Sequence, residues 1–140
     1  MTASVIDTVA KYFYFSTLDE NLSFTASLKT LSDLKNHSRL DEKYRAEWVR
    51  ALLHWRDRLN KIKPRGGATA AMIHLPRGFD MTAWRSFLNT AEREEIDAVL
   101  LHKILRFSEG EIAVGLNVTT GTVRYRLGRG LRHLGGFQDA

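Results

Sequence analysis

Residues 119–134, TTGTVRYRLGRGLRHL, contain four arginines and no acidic residue. An arginine guanidinium pairs with phosphate oxygens and can donate two parallel hydrogen bonds to the major-groove edge of guanine. The threonines and glycine at the beginning of the stretch are small enough for a helix end to approach the floor of a groove. These residue types therefore predict contact with the backbone and bases of duplex DNA.

An amphipathic helix must position these arginines. Apolar residues recur at steps of three and four and define its buried side: Val123, Leu127, Leu131 and Leu134. Thr119 can cap its first turn. Gly128 and Gly130 each weaken a helix by about 1 kcal/mol relative to alanine, which indicates a weak distal end or a closely approaching partner. The side opposite the apolar stripe presents Thr120, Gly121, Arg124, Tyr125, Gly128, Arg129 and Arg132.

A shorter helix is predicted immediately before this one. Ser108 and Glu111 have the spacing of a capping box, in which each side chain accepts a hydrogen bond from the other residue's backbone N–H. Asn117 tolerates the left-handed conformation that ends a helix tightly, and small Ala113 lets two helices cross closely. The order of short helix, tight turn and long helix predicts a helix-turn-helix, although paired helices in a structural bundle need the same signals.

A supporting helix is predicted upstream of the capping box. Thr90 is its candidate N-cap, acidic residues occupy its first turn where the helix dipole favours them, and it should end near Arg106. Its buried stripe consists of Ile96, Val99, Leu100 and Ile104. Residues 81–140 are therefore predicted to form one helical domain.

The N-terminal part of the chain predicts three further helices: residues 4–15, residues 20–35 after the N-cap Asp19, and a helix that begins near Tyr44 and is stopped by Pro64. Their predicted buried positions are Val5, Val9, Tyr12 and Phe13; Leu22, Leu28, Leu31 and Leu34; and Trp48, Leu52, Trp55, Leu59 and Ile62. The fold class is therefore all-α. Residues 1–63 are predicted to form a three-helix bundle, and the proline- and glycine-containing residues 64–80 are predicted to form a linker.

Composition narrows the function further. A net charge of +5 and a pI of about 9.7 suit a polyanionic partner. The absence of cysteine removes thiolate metal sites and thiol catalysis and suits a reducing cytoplasm. The histidines lack paired ligand spacing, and PRGGATAA lacks the Lys-Ser/Thr of a phosphate-binding loop. We therefore predict a cytoplasmic protein that is not an enzyme and has no metal, cofactor or membrane span.

The stretch FSEGEIAVGLNVTTGTVRYRLGRGLRHL resembles region four of bacterial sigma factors, the C-terminal promoter-binding region. The matching residues are Ser108, Glu111, Ile112, Ala113, Leu116, Val118, Thr119, Gly121, Thr122, Val123, Arg124, Arg126, Leu127, Leu131 and Leu134. The preceding FLNTAEREEIDAVLLHKI is also similar, so the resemblance covers about residues 84–134. The output domain of LuxR-type response regulators has a related pattern, but Arg-Tyr-Arg after Thr-Val favours the sigma group.

The resemblance implies roles for individual side chains. Thr120, Arg124 and Tyr125 would face bases of an upstream promoter element, and Thr122, Arg126 and Arg129 would lie near phosphates. The DNA-binding residues predicted from pattern and resemblance together are Thr119, Thr120, Gly121, Thr122, Arg124, Tyr125, Arg126, Arg129 and Arg132. The implied partners are double-stranded promoter DNA, core RNA polymerase and an anti-sigma or other regulatory protein.

The N-terminal half is only weakly similar to region two of the extracytoplasmic-function sigma factors. YRAEWVRALLHWRDRLNKIKPR resembles the Trp-bearing basic helix of that region, but Trp55 stands where the family usually has asparagine. Three interpretations follow: a sigma-like transcription factor, a DNA-binding repressor or activator that acts as a dimer, and a sigma-like protein-interaction module that no longer binds DNA.

Overall fold

The computed structural model describes residues 2–63 and 80–138, with side chains described for residues 5–63 and 80–135. Every regular element in these ranges is helical, which confirms the all-α prediction. The chain divides into two compact units, residues 1–74 and residues 75–140, called here the N-terminal and C-terminal units. The predicted linker, residues 64–80, lies outside the described residues except for Asp80.

The N-terminal unit contains three packed α-helices, α1 (Thr2–Thr17), α2 (Glu20–Asn36) and α3 (Arg45–Arg56), with 3-10 turns at Glu42–Tyr44 and Leu59–Lys61. Asp19 caps α2 as predicted, because its carboxylate accepts a 2.9 Å hydrogen bond from the Leu22 N–H. The third helix is shorter than predicted. It ends at Arg56, where Asp57 and Asn60, which are weak helix formers, replace the α-helix with a 3-10 turn.

Aromatic side chains fill the core of this unit. Tyr12, Phe13, Phe15 and Trp48 are fully buried, and the Trp48 indole donates a 2.8 Å hydrogen bond to the Arg39 carbonyl. Trp55, predicted in the core, is only half-buried because its indole reaches the Asp33 carboxylate at 2.7 Å. The predicted core is thus correct for Trp48, and Trp55 lies at its edge.

The predicted leucine stripe of α2 is wrong. Leu34 is buried, but Leu28 is 50% exposed, and most of the buried side consists of small residues. The bulky rings of α1 already fill the interior, so α2 can pack against α1 only through small side chains. The buried hydroxyl of Thr30 is satisfied within the helix, since it donates to the Ala26 carbonyl at 2.9 Å.

The C-terminal unit contains α4 (Met81–Thr90), α5 (Arg93–Val99) with a π-helical extension at Leu100–Ile104, α6 (Glu109–Leu116) and α7 (Thr120–Gln138). The prediction of Thr90 as an N-cap is wrong. It is the last residue of α4, and its hydroxyl donates to the Ser86 carbonyl at 2.8 Å, while Glu92 precedes α5. The residues before the predicted supporting helix form a helix of their own, α4, whose N-cap is Asp80.

The helix α7 is the centre of this unit, because α4, α5 and α6 all pack against it. Its predicted buried side is largely confirmed: Val123, Leu127 and Leu134 are buried and Leu131 is half-buried. They meet a core that includes Trp84, Phe87, Ile96, Val99, Leu100, Phe107 and Ile112. This packing leaves the opposite side of α7 at the surface of the unit.

Candidate nucleic-acid interface

The turn between α6 and α7 has the geometry that its sequence predicts. The Ser108 N–H donates to the Glu111 carboxylate at 2.8 Å, and the Glu111 N–H donates to the Ser108 hydroxyl at 3.0 Å. Asn117 ends α6 in the left-handed conformation, with φ 58° and ψ 48°. The Val118 N–H then donates to the Ala113 carbonyl at 3.0 Å, and Ala113 is buried. Only three residues, 117–119, therefore separate the end of α6 from the start of α7.

The first turn of α7 is capped by Thr119. Its hydroxyl accepts a 3.1 Å hydrogen bond from the Thr122 N–H and lies 3.0 Å from the Thr122 hydroxyl. Thr120 and Gly121 are exposed beside this cap. The remaining N–H groups of a helix's first turn are unbonded within the helix and carry its positive dipole end, which suits a phosphate or another acceptor.

Arg124, predicted to contact bases, lies one turn further along on the exposed side. Its guanidinium donates from Nε to the Glu109 carboxylate at 2.7 Å, while its side chain remains 67% exposed. Glu109 is the first residue of α6, so this ion pair links the two helices of the helix-turn-helix. This contact was not predicted from the sequence, although Glu109 directly follows the N-cap Ser108 that the sequence identifies.

A second carboxylate reaches α7 from α5. Glu95 is buried, and its carboxylate lies 3.1 Å from Arg129 Nε and 3.6 Å from His133 Nδ1. Arg129 also donates to the Tyr125 hydroxyl at 3.2 Å. The hydrogen bond with the Tyr125 hydroxyl, and after it the negative charge of the Glu95 carboxylate, raise the pKa of Arg129 above its usual value. Arg129 therefore links the exposed Tyr125 hydroxyl to the buried Glu95 carboxylate.

Gly130 explains how Glu95 comes so close to α7. A Cβ atom at this position would lie 2.7 Å from Val99 Cγ2 and 3.0 Å from the Glu95 carbonyl oxygen. The partner that approaches Gly130 is therefore α5 of the same unit. Gly128 has no such neighbour among the described residues, since its Cβ would meet only the flexible end of Arg132 at 3.4 Å.

The structure places the remaining predicted residues along the same side. Arg132 is exposed and Arg126 is half-buried. A cleft of about 450 Å³ is lined by four residues of α7 and by the carboxylates of α5 and its N-cap: Thr122, Tyr125, Arg126 and Arg129, with Glu92, Glu94 and Glu95. Residues 119–134 contain no acidic residue, but in the folded unit three glutamates from another part of the sequence lie beside them.

These elements define a class of DNA-binding domain: a helix-turn-helix with a capped second helix whose outer side carries arginine, threonine and tyrosine. Residues 92–134 match the family model described as sigma-70, region 4. The match lies within the C-terminal unit, so this part of the chain is similar to a sigma-70 region-four domain, which is a regulatory DNA-binding type. No curated protein and no solved structure matches the chain significantly.

Two further findings concern sites of other kinds. Within the part of the chain that the structure describes, no group of three His, Asp or Glu residues could hold a metal ion. No described helix combines the length and the apolar character that crossing a membrane requires.

Proposed function

We propose that this chain is a sigma-factor-like transcription regulator, which binds promoter DNA through α7 and recruits RNA polymerase to that site. The observation that carries the proposal is the exposed side of the first turns of α7 within a region-four domain, where Thr120, Gly121 and Arg124 lie together. A helix that enters the major groove contacts base edges through its N-terminal turns.

Under this proposal, different residues of α7 contact the bases and the phosphates. Arg124 and Tyr125, which are both exposed, would contact bases together with Thr120. Arg126, Arg129 and Arg132 would contact phosphates, as would Thr119, Gly121 and Thr122 around the capped N-terminus. Phosphate contacts hold the protein in register, whereas base contacts determine the sequence that it prefers.

Binding of this kind requires Arg124 to exchange Glu109 for DNA. The Arg124 side chain is 67% exposed and the Glu109 side chain 29%, and ion pairs at the surface contribute only about 0–1 kcal/mol. A bidentate contact between arginine and guanine contributes about 1–3 kcal/mol of discrimination. The exchange is therefore favourable on a matching sequence and close to neutral elsewhere, so that Glu109 would sharpen selectivity.

The N-terminal unit would supply the contact with core RNA polymerase. We propose residues 1–63 as a divergent region-two-like domain, residues 64–80 as a linker and residues 81–140 as the DNA-binding domain. A chain with this function works in the cytoplasm, on double-stranded promoter DNA, without catalytic chemistry of its own, and an anti-sigma or similar protein would regulate it.

One observation favours a second candidate, a sigma-like interaction module that does not bind DNA. Of the four arginines of α7, Arg124 and Arg129 are each paired with a carboxylate of the same unit. Such pairing lowers the positive potential that attracts DNA. A polar partner surface with both charges would suit this side equally well.

DNA titrations separate the two candidates. A preferred duplex is first selected from a random pool with the full chain, and binding is then measured by fluorescence anisotropy over a range of salt concentrations. We expect Arg132→Ala to lower the salt slope by about one phosphate contact on every duplex. Arg124→Ala should lose about 5- to 100-fold affinity on the selected duplex and little on a scrambled one.

Arg85→Ala is the matched control, because Arg85 is an exposed arginine of the same unit on α4. It should leave both the preference and the salt slope unchanged. Absence of duplex binding at low salt would reject DNA binding and leave the interaction module. A uniform loss with Arg124→Ala would reject its assignment to bases.

A further inference from the structure

The α2 helix of the N-terminal unit has an inverted distribution of polarity. Its buried residues are Ser23, Thr25, Ala26, Ser27, Thr30 and Leu34. Phe24 and Leu28, two of its largest apolar side chains, are 44% and 50% exposed. Each exposed apolar side chain of this size loses the favourable free energy of burial, unless something outside the unit covers it.

The exposed apolar residues belong to a continuous row along α2. Glu20, Phe24, Leu28, Leu31 and Lys35 follow one another at steps of four, four, three and four. With 3.6 residues per turn, the five positions lie within an arc of roughly 80°. This row, named here the α2 stripe, begins with an acid, continues with three apolar residues and ends with a base.

Both terminal charges of the α2 stripe are available for a partner. Glu20 and Lys35 are exposed, and within the described residues neither forms an ion pair. They lie about 22 Å apart along the helix axis, at 1.5 Å per residue. A partner must therefore offer a cation at one end, an anion at the other and apolar side chains between them.

We infer that the α2 stripe binds the α2 stripe of a second copy of this chain, with the two helices antiparallel. A two-fold interface uses the same patch on both subunits, so the patch must complement itself. Turning one α2 end for end sets Glu20 of each copy beside Lys35 of the other. It also brings Phe24, Leu28 and Leu31 of the two copies against each other.

The charges select this arrangement over others. A parallel pair would place Glu20 beside Glu20 and Lys35 beside Lys35, which is unfavourable at both ends. Antiparallel helices also have opposed macrodipoles, which favours their side-by-side contact. Because one helix stripe is smaller than a standard interface, the dimer is weak, with a dissociation constant on the order of 10 µM.

The inference is independent of DNA binding, because it uses only contacts and charges of the N-terminal unit. If the C-terminal unit also binds DNA, the dimer carries two helix-turn-helix motifs. A preferred site would then contain two related half-sites.

Sedimentation equilibrium of the full chain, from about 1 to about 200 µM, measures the self-association directly. The native chain should pass from monomer to dimer across this range. Leu28→Glu should remain monomeric throughout, because it places a charge in the apolar centre of the α2 stripe. Glu20→Lys and Lys35→Glu should each weaken the dimer about tenfold, since each makes both end pairs repulsive.

Charge exchange provides the decisive comparison. The double variant with Glu20→Lys and Lys35→Glu should self-associate within about threefold of the native chain, because both pairs are restored in reversed order. An equimolar mixture of the two single variants should form a heterodimer of similar affinity. Glu42→Lys, an exposed charge reversal of the same unit outside α2, is the control and should behave as the native chain.

Two results would overturn the inference. One is a native chain that stays monomeric over the whole range, which would mean that the α2 stripe does not bind a second copy. The other is a dimer that the charge variants do not weaken, or that the double variant does not restore. Circular dichroism of each variant verifies its helix content; if Leu28→Glu is unfolded, the charge variants alone decide.

Discussion

The helices α2 and α7 bury opposite kinds of side chain. In α7 the leucines and Val123 face the core and the arginines face outward, which is the usual amphipathic distribution. In α2 hydroxyl residues face the core while Phe24 and Leu28 face outward. The comparison teaches that regular spacing of apolar residues locates a helix, whereas only the packing of its neighbours decides which side it buries.

The largest expected difference between the two helices concerns the truncation of one leucine in each. Leu127→Ala should lower the free energy of unfolding by about 2–5 kcal/mol, because Leu127 is buried. Leu28→Ala should change it by less than about 0.5 kcal/mol at a concentration where the chain is monomeric. Urea unfolding followed by circular dichroism measures both. Equal losses would mean that α2 buries Leu28 after all.

The two glycines of α7 provide the next test. Gly130→Ala should destabilise the C-terminal unit by about 1–3 kcal/mol, because its Cβ would meet Val99 and the Glu95 backbone closer than van der Waals contact. Gly128→Ala should instead be neutral or stabilising by up to about 1 kcal/mol, through helix propensity. Thermal unfolding of the two variants compares them. The account of the α5–α7 contact would be wrong if Gly130→Ala stabilised the unit as Gly128→Ala does.

The capping box gives a smaller effect. Ser108→Ala removes the acceptor of the Glu111 N–H and should cost about 1 kcal/mol, measured by urea unfolding. Ser32→Ala, on the exposed part of α2, is a control that should cost much less. A cost below about 0.3 kcal/mol would show that tertiary packing alone holds the start of α6.

The smallest effect concerns the Arg124–Glu109 ion pair on the proposed DNA-binding side of α7. Glu109→Gln releases Arg124 from its carboxylate and removes a negative charge beside the proposed DNA site. We expect duplex affinity to rise about two- to fivefold, with the larger gain on scrambled duplexes. Anisotropy titrations of selected and scrambled duplexes measure the two gains. A loss of affinity would mean that Glu109 positions Arg124 for its contact instead of competing for it.

The helix-turn-helix could be predicted from the sequence because its signals are local. The partners in the capping box are three residues apart, and Asn117 ends α6 through its own backbone preference. The amphipathic spacing of α7 identified its buried side for the same reason. Each of these features depends on residues within one or two turns.

The remaining features depend on contacts between distant parts of the chain. Glu95 appeared as one of several acids that complement a helix dipole, and nothing in its neighbourhood indicated that it would reach Arg129 and His133. The close approach at Gly130 could be suspected, but α5 could not be identified as the partner. The exposure of Leu28 likewise depends on packing between helices, since the buried aromatic side chains of α1 contribute much of the core volume of the unit.

The central claim is that this chain brings RNA polymerase to a DNA sequence through α7. The most direct measurement is retention of core RNA polymerase on an immobilised duplex that contains the selected site, with and without the chain. We predict retention that depends on the chain, is lost on a scrambled duplex and falls at least about fivefold with Arg124→Ala, as expected for one base contact. Retention that is equal on both duplexes, or no retention with the native chain, would contradict the claim.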